Sequence, residues 1–174
     1  MRLFVAAVLP DAVLDALAET SALLRGSVRG RFVAQDSFHV TLAFLGDTPA
    51  ERVDDAAGAI EVACREFSAF GVSLGSLGSF GKRSAATLWQ GFGDAGALPE
   101  IAAAVRDELR ERGFSFDAKS FRAHVTLMRK ADLTHGILPM PAQADGDVRS
   151  IVLFKSDLSG DRPLYEPLHI VDLP

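Results

Sequence analysis

The chain has 174 residues, of which 48% are hydrophobic and 24% charged, a balance that is typical of a folded domain and excludes a disordered chain. We expect residues 1–174 to form a single domain built from two closely packed lobes. The net charge of −5 disfavours a protein that coats long nucleic acid, but it is compatible with a small cleft that local arginines make positive.

The first predicted element is a buried strand over Arg2–Leu9, a nearly continuous apolar run. Because this run is short and lacks a small-residue cleavage site, we interpret it as a strand and not as a signal peptide. A helix begins at Pro10-Asp11 and ends at the glycines of Gly26–Gly30. Arg31–Val33 is a short extended segment, and Phe38–Leu45 is predicted as the next strand.

The middle of the chain alternates helices and strands. Thr48-Pro49-Ala50-Glu51 predicts a capping box at the start of a helix that reaches Cys64. Phe70–Phe80 and Ala86–Phe92 are predicted as strands. A third helix starts near Leu98 and is expected to end at Gly113 in a left-handed cap.

The last third of the chain is predicted to be mostly strand. Phe121–Met128 is a strand, residues 131–146 are a polar loop, and Val148–Ser156 pairs with Leu164–Val171 in a terminal hairpin that turns at Ser159-Gly160-Asp161. This mixed order of strands and helices indicates an α+β fold.

Cys64 is the only cysteine, so an intrachain disulfide is excluded. With no secretion signal, this favours a reducing cytoplasmic location. Its helical apolar surroundings predict a buried, small hydrophobic side chain instead of a nucleophile. The apolar runs are too short to span a bilayer, so we expect no membrane partner.

A repeated tetrapeptide is the most informative feature of the sequence. His39-Val40-Thr41-Leu42 recurs as His124-Val125-Thr126-Leu127, 85 positions further on (124 − 39). In a strand, alternate side chains share a face, so each histidine projects beside its threonine while the apolar residues face a core. One such histidine would be interpreted as structural, whereas the repetition of the whole set favours a function. His135 and His169 lack the threonine and are interpreted as structural or surface residues.

Two imidazoles and two hydroxyls suit the cleavage of a phosphodiester. The imidazole pKa of about 6.5 allows one histidine to be protonated while the other is not, as a general acid and a general base require. A threonine hydroxyl donates to a phosphate oxygen without adding charge. Neither clustered carboxylates nor a third ligand at zinc-site spacing accompanies the histidines, so we expect no metal and no cofactor.

The paired motifs resemble the signature of the two-histidine (2H) phosphoesterase superfamily. The wider sequence resembles its RNA 2′,3′-cyclic phosphodiesterases, historically called 2′-5′ RNA ligases. The resemblance is carried by MRLFVAAVLP, FVAQDSFHVTLAFLGD, LGSLGSFGKRSAATLW, FRAHVTLMR and VLFKSDLSGDRPLYEPL, which together cover most of the chain. Ala123 and Ser37 stand where the family commonly has proline and asparagine, and neither touches the expected chemistry.

The resemblance implies an α+β, bilobal, pseudo-duplicated fold in which two antiparallel-rich sheets flank a central cleft. It implies that the partner is RNA with a 2′,3′-cyclic phosphate end, such as a tRNA fragment, and that hydrolysis breaks the O3′ bond to leave a 2′-phosphate. Joining such an end to a 5′-hydroxyl is expected as a secondary activity, and we expect the protein to act as a monomer.

Roles for six residues follow from the resemblance. His124 is expected to act as proton acceptor for the attacking water and His39 as proton donor to the departing O3′, although the motif pair fits either assignment. Thr41 and Thr126 are expected to hold the non-bridging oxygens.

Arg129 and Phe44 also match functional positions of the family. Arg129 corresponds to an arginine that meets the phosphate or the RNA end. Strict alternation puts Arg129 opposite His124, so either the strand ends or bulges near Met128 or Arg129 is a surface residue. Phe44 corresponds to an aromatic after the first motif; alternation predicts a core position for it, and stacking on a base is the other interpretation.

Three more basic residues are open to two interpretations each. Lys82 and Arg83 contact RNA phosphates or lie in a solvated loop, and Arg122 raises the potential of the cleft or pairs with a carboxylate.

Two other functions remain open for the protein. The first alternative is a 2H phosphodiesterase of small substrates such as nucleoside or ADP-ribose cyclic phosphates. The second is a non-catalytic module that binds RNA ends.

Overall fold

The computed structural model describes all residues from Met1 to Pro174, and its strands and helices follow the predicted order closely. In chain order the elements are β1 (Arg2–Ala7), α1 (Asp11–Arg25), β2 (Arg31–Phe32), β3 (Val40–Asp47), α2 (Val53–Cys64), β4 (Phe70–Phe80), β5 (Ala86–Asp94), α3 (Leu98–Glu111), β6 (His124–Ala131), β7 (Asp145–Val148), β8 (Ser150–Asp157) and β9 (Leu164–Asp172).

The strands form two antiparallel sheets. One has the order β3-β1-β8-β9 and the other the order β2-β6-β5-β4-β7. Each sheet contains one of the strands that carry the repeated motif, β3 in the first and β6 in the second, and these two strands contact each other. The predicted α+β fold with two antiparallel sheets, one for each copy of the motif, is therefore confirmed.

The helices pack against the two sheets, α2 and α3 against the first and α1 against the second. α2 and α3 pack against each other and against the first sheet, where α3 contacts β3 and α2 contacts β8 and β9. α1 follows β1 in the chain, yet it contacts β7 of the second sheet. A single cluster of 37 buried apolar residues runs through both lobes. None of the three helices combines the length and apolar character needed to cross a bilayer.

The end of α3 shows how the sequence stops a helix. Gly113 has a φ of 76°, the left-handed conformation that glycine adopts without a steric penalty. Its N–H donates to the carbonyl of Arg110 and the N–H of Phe114 donates to that of Leu109, the two hydrogen bonds of a Schellman motif. The left-handed cap predicted at Gly113 is present.

The start of α2 differs from the prediction. Ala50–Arg52 is a 3-10 turn, α2 begins at Val53, and no side chain caps its first turn. The Thr48 hydroxyl donates instead to the carbonyl of Gly46 at 3.2 Å. The predicted capping box was therefore wrong, because Thr48 is used to hold the end of β3.

The terminal hairpin is present as β8 paired with β9. The predicted loop over residues 131–146 gives way at Asp145 to β7, which pairs with Phe70–Ser73 of β4. The polar sequence of β7 offered no alternating apolar signal, so the strand was missed.

Candidate active site

A cavity of 320 Å³ lies between the lobes, and the side chains of both motifs line it. His39 directly precedes β3 and Thr41 lies at its start, while His124 and Thr126 lie at the start of β6. The structure thus brings together the four residues that the repeat singled out. The remaining lining residues are Arg25, Arg31, Phe32, Val33, Ala34, Ser37, Arg129, Asp161, Arg162, Pro163 and Tyr165.

Both imidazoles are anchored in the same way. Nδ1 of His39 lies 2.7 Å from the carbonyl of Ser37, and Nδ1 of His124 lies 2.6 Å from the carbonyl of Arg122. Because a carbonyl only accepts, each Nδ1 carries a hydrogen and donates it. This fixes the tautomer of each neutral ring and leaves its Nε2 as the nitrogen that can exchange a proton with a ligand.

The two Nε2 atoms differ in their surroundings. Nε2 of His39 lies 2.9 Å from Oγ1 of Thr41, so the hydroxyl donates to the neutral ring or accepts from the protonated one. His124 makes its side-chain hydrogen bond through Nδ1, and its Nε2 has no protein partner. The His124 ring therefore has a nitrogen free to accept a proton from a ligand.

Aromatic side chains support each imidazole. The His39 ring lies 5.0 Å from that of Phe4 and meets Tyr165 edge-on at 5.4 Å. The His124 ring meets Phe80 edge-on at 5.1 Å and lies 5.7 Å from Trp89. Such packing restricts the rings to the orientation that their Nδ1 hydrogen bonds select.

The cavity carries positive charge although the protein as a whole has a negative net charge. Four arginines and a single aspartate line it, whereas the chain has a net charge of −5. Burial lowers the pKa of both His39 and His124, and the positive charge of Arg129 lowers the pKa of both further. The hydrogen bonds to Ser37 and Arg122 act in the opposite direction, because they favour the protonated rings.

A β-bulge brings Arg129 to the cavity. Thr126 pairs with Trp89 and Met128 with Leu88, so Leu127 is an extra residue on β6. Leu127 and Met128 are both fully buried, and Arg129 then returns to the face of His124. Of the two interpretations of Arg129, the structure supports the bulged strand with the arginine at the site.

An equivalent bulge displaces Phe44 from its expected position. Thr41 pairs with Ala6 and Ala43 with Val5, so Leu42 is the extra residue on β3. Phe44 is consequently half-buried beneath the guanidinium of Arg2, at 4.7 Å, and lies outside the apolar core. It does not line the cavity, so the expectation of a core position is corrected and no contact with a bound base is indicated.

Lys82, Arg83 and Arg122 do not line the cavity, although the charge of Arg122 also lowers the pKa of His124. Arg83 donates to the carbonyl of Leu133 at 2.6 Å and so fixes a loop. Arg122 stacks on Trp89 with its guanidinium 4.9 Å from the ring centre, and it pairs with no carboxylate. His135 is exposed, and Nε2 of His169 lies 2.9 Å from Glu61. Cys64 is buried, which raises its pKa to about 11, as expected for a structural thiol.

Sequence reasoning missed several residues of the site. Tyr165 contacts the His39 ring, and Arg25 and Arg31 line the same cavity. Tyr165 follows Pro163 in VLFKSDLSGDRPLYEPL, a segment that carries the family resemblance and could have indicated it. The sequence contains no such signal for the two arginines, because β2 pairs with β6, and Arg25 reaches Phe32 of β2, only in the folded chain.

The comparisons with known proteins point in one direction. Residues 10–155 match the 2′-5′ RNA ligase superfamily. A Geobacillus stearothermophilus protein named RNA 2′,3′-cyclic phosphodiesterase is 31% identical over 144 residues, which cover 79% of this chain and 46% of that protein, so the match spans less than half of its length. An Archaeoglobus fulgidus protein of the same name is 28% identical over 181 residues, covering 99% of this chain and 100% of that one.

The fold is also found among solved structures. The crystal structure of E. coli LigT complexed with 3′-AMP superposes with a TM-score of 0.84 at 26% sequence identity, covering 99% of this chain and 97% of that chain.

Proposed function

The chain belongs to the 2′-5′ RNA ligase superfamily, and on that basis we propose that it is an RNA 2′,3′-cyclic phosphodiesterase. The observation that carries the proposal is the convergence of His39, Thr41, His124 and Thr126 on one positive cavity. Each Nδ1 is committed to a backbone carbonyl, so two Nε2 atoms face one ligand and can transfer protons on its opposite sides.

The proposed reaction is a displacement at phosphorus. Nε2 of His124 accepts a proton from the attacking water as its oxygen bonds to phosphorus. The bond from phosphorus to O3′ breaks, and O3′ takes the proton that Nε2 of His39 carries. The product is a 2′-phosphate beside a 3′-hydroxyl, and the two histidines end with their protonation states exchanged.

The other residues stabilise the charge that builds up on phosphate. The hydroxyls of Thr41 and Thr126 and the guanidinium of Arg129 donate to the non-bridging oxygens. The partner-free Nε2 of His124 supports its role as acceptor. The same groups can catalyse the attack of an RNA 5′-hydroxyl in place of water: O5′ bonds to phosphorus and gives its proton to His124, while the bond to O3′ breaks and O3′ takes the proton of His39. We include this 2′-5′ ligation as a secondary activity.

One chain supplies both halves of the site, which supports a monomeric enzyme that acts on RNA ends such as those of tRNA fragments. A single, buried cysteine is compatible with the reducing cytoplasm as its proposed location.

The test is incubation of the purified protein, in EDTA, with a short RNA that ends in a 2′,3′-cyclic phosphate. We expect a 2′-phosphate product. His39→Ala and His124→Ala should each lower kcat/KM by at least about 100-fold, the usual contribution of a general acid or base. His135→Ala is the matched control, because His135 lies exposed and outside the cavity.

Other outcomes would contradict specific parts of the proposal. Full activity in both histidine variants would exclude acid–base catalysis by this pair. A 3′-phosphate product would show that the other ester bond breaks. Turnover of small cyclic phosphates alone would identify a different 2H phosphodiesterase, and binding of RNA ends without any turnover would identify a binding module.

A further inference from the structure

Two arginines face each other across a pair of strands at the edge of the cavity. Arg31 of β2 is the direct cross-strand partner of Arg129 of β6. Side chains that are directly opposite in an antiparallel pair lie on the same face within contact distance, and like charges in this position are destabilising. A folded chain keeps such a pair at little cost when an anion lies between the two guanidinium groups.

No carboxylate pairs with these arginines, although Asp161 lines the same cavity. Arg31, Arg129 and the neighbouring Arg25 form no salt bridge and donate no side-chain hydrogen bond within the chain. Arg25 is held by the aromatic ring of Phe32, with its guanidinium 4.2 Å from the ring centre. This contact fixes the plane of the group and leaves its N–H donors at the edge free for a ligand.

The three arginines are arranged in order along the cavity. Arg129 is near enough to His39 and His124 to lower the pKa of both. Arg31 and Arg25 line the same cavity from beyond β6, because β2 is the edge strand next to β6 and the guanidinium of Arg25 lies over Phe32 of β2. Arg31 lies one strand away from Arg129, so a second anionic group of the same ligand would lie beside Arg31.

We propose that Arg31, supported by Arg25, forms a second phosphate subsite, which binds the 5′-phosphate of the same nucleotide that carries the 2′,3′-cyclic phosphate. In RNA this group is the phosphodiester that links the last nucleotide to the one before it. The subsite makes the enzyme select polynucleotide ends over cyclic mononucleosides that end in a 5′-hydroxyl. This inference rests on the proposed function and adds a determinant of substrate choice to it.

The first experiment compares three substrates that differ only at the 5′ position. They are adenosine 2′,3′-cyclic phosphate with a 5′-hydroxyl, the same nucleotide with a 5′-phosphate, and the dinucleotide ApA with a terminal cyclic phosphate. We expect kcat/KM to rise by about tenfold with the 5′-phosphate, the effect of one charge-assisted contact. The dinucleotide should be used at least as well as the 5′-phosphorylated nucleotide.

The variant Arg31→Gln should reduce that tenfold preference to nearly one, whereas Arg29→Gln should leave it in place. Arg29 is the matched control because it is exposed, close in sequence and outside the cavity. Equal use of the first two substrates by the wild type, or the same preference in both variants, would overturn the subsite. Preference for the 5′-phosphorylated nucleotide over the dinucleotide would overturn the assignment of the subsite to RNA.

A binding measurement separates the subsite from the proposed function. Titration calorimetry with adenosine 2′,5′-bisphosphate and with adenosine 2′-phosphate needs no turnover. We expect the wild type and Arg29→Gln to bind the bisphosphate about tenfold more tightly than the monophosphate. We expect Arg31→Gln to bind the two ligands with about equal affinity. If no cyclic phosphate is hydrolysed yet this pattern holds, the proposed activity fails and the subsite stands. Equal affinities in the wild type would remove the subsite, whatever the activity.

Discussion

At the scale of single residues, the site depends on which nitrogen of each imidazole is available. The carbonyls of Ser37 and Arg122 lie two positions before His39 and His124 and take up the two Nδ1 hydrogens. The sequence gives the histidines and their spacing, but the direction of a side chain toward its own backbone depends on the turn before each strand. That turn is a short 3-10 segment before His39 and an irregular segment before His124.

The lowered pKa values predict the pH dependence of the reaction. One histidine must be neutral and the other protonated, so kcat/KM should follow a bell-shaped curve whose two pKa values belong to the coupled pair. Because both pKa values lie below the usual 6.5, the optimum of kcat/KM should fall on the acidic side of that value. Bound phosphate favours the protonated rings, so the optimum of kcat should lie at higher pH.

The measurement is a pH–rate profile of the wild type beside Arg129→Gln. Removal of the Arg129 charge should move the optimum of kcat/KM toward higher pH, and Lys82→Gln, outside the cavity, should leave the optimum unchanged. A profile of Arg129→Gln that coincides with the wild-type profile would refute the electrostatic influence of Arg129.

At the scale of elements, the duplicated motif extends to the irregularities of its strands. Leu42 in β3 and Leu127 in β6 are both extra residues, and each directly follows the motif threonine. The bulges allow two successive apolar residues to be buried and return the third residue after each threonine to the face of the motif side chains, although only Arg129 lines the cavity. That residue is Phe44 in one strand and Arg129 in the other. Alternation counted along a single strand therefore misplaced Phe44 and left Arg129 undecided.

The pairing of β4 with β5 predicts that Gly78 does not tolerate a larger side chain. Trp89 lies flat over Gly78, so a Cβ at Gly78 would overlap the indole ring. Gly78→Ala should push Trp89 toward His124, lower kcat and destabilise the protein by about 1–3 kcal/mol, the usual cost of overpacking. Thermal unfolding and steady-state kinetics measure the two effects.

Gly26→Ala is the control for that substitution. Its φ of −82° suits alanine, and the nearest heavy atom to an added Cβ is 3.8 Å away. This variant should keep the wild-type rate and stability or gain slightly in stability. Wild-type behaviour of Gly78→Ala would show that Trp89 does not position His124.

At the scale of the whole molecule, a protein of net charge −5 concentrates positive charge in one cavity between its lobes. The chain follows β1 of the first sheet with α1, which packs on the second sheet, and this crossing fixes the lobes against each other. Both imidazoles are therefore partly withdrawn from water, which is the main cause of their lowered pKa values.

This burial predicts how stability depends on pH. In the unfolded chain each histidine titrates near 6.5, and in the folded chain each binds its proton only at lower pH. Below pH 6.5 the unfolded state therefore binds more protons, so the free energy of unfolding should decrease as the pH falls from about 7 to about 5. Urea unfolding at several pH values, in buffer without phosphate, measures this dependence.

The double variant His39→Asn/His124→Asn should show a flatter dependence over the same range, because neither asparagine titrates. Inorganic phosphate should restore stability to the wild type at low pH more than to the double variant, since it favours the protonated rings. An equally steep decrease in the double variant would locate the responsible groups elsewhere in the protein.

The sequence by itself determined which motif side chains meet in the cavity and most of the elements. The repeated tetrapeptide identified the two histidines and two threonines, since period-two alternation holds over the first residues of each strand. Apolar periodicity and turn residues predicted the three helices and most strands, because these signals are local.

The tertiary structure alone decided which other residues join the site. Arg31 and Arg25 reach the cavity through β2 and the end of α1, and Arg129 through a bulge that exists only relative to β5. Such placement depends on pairing between distant segments, and a single strand carries no record of its partner's register.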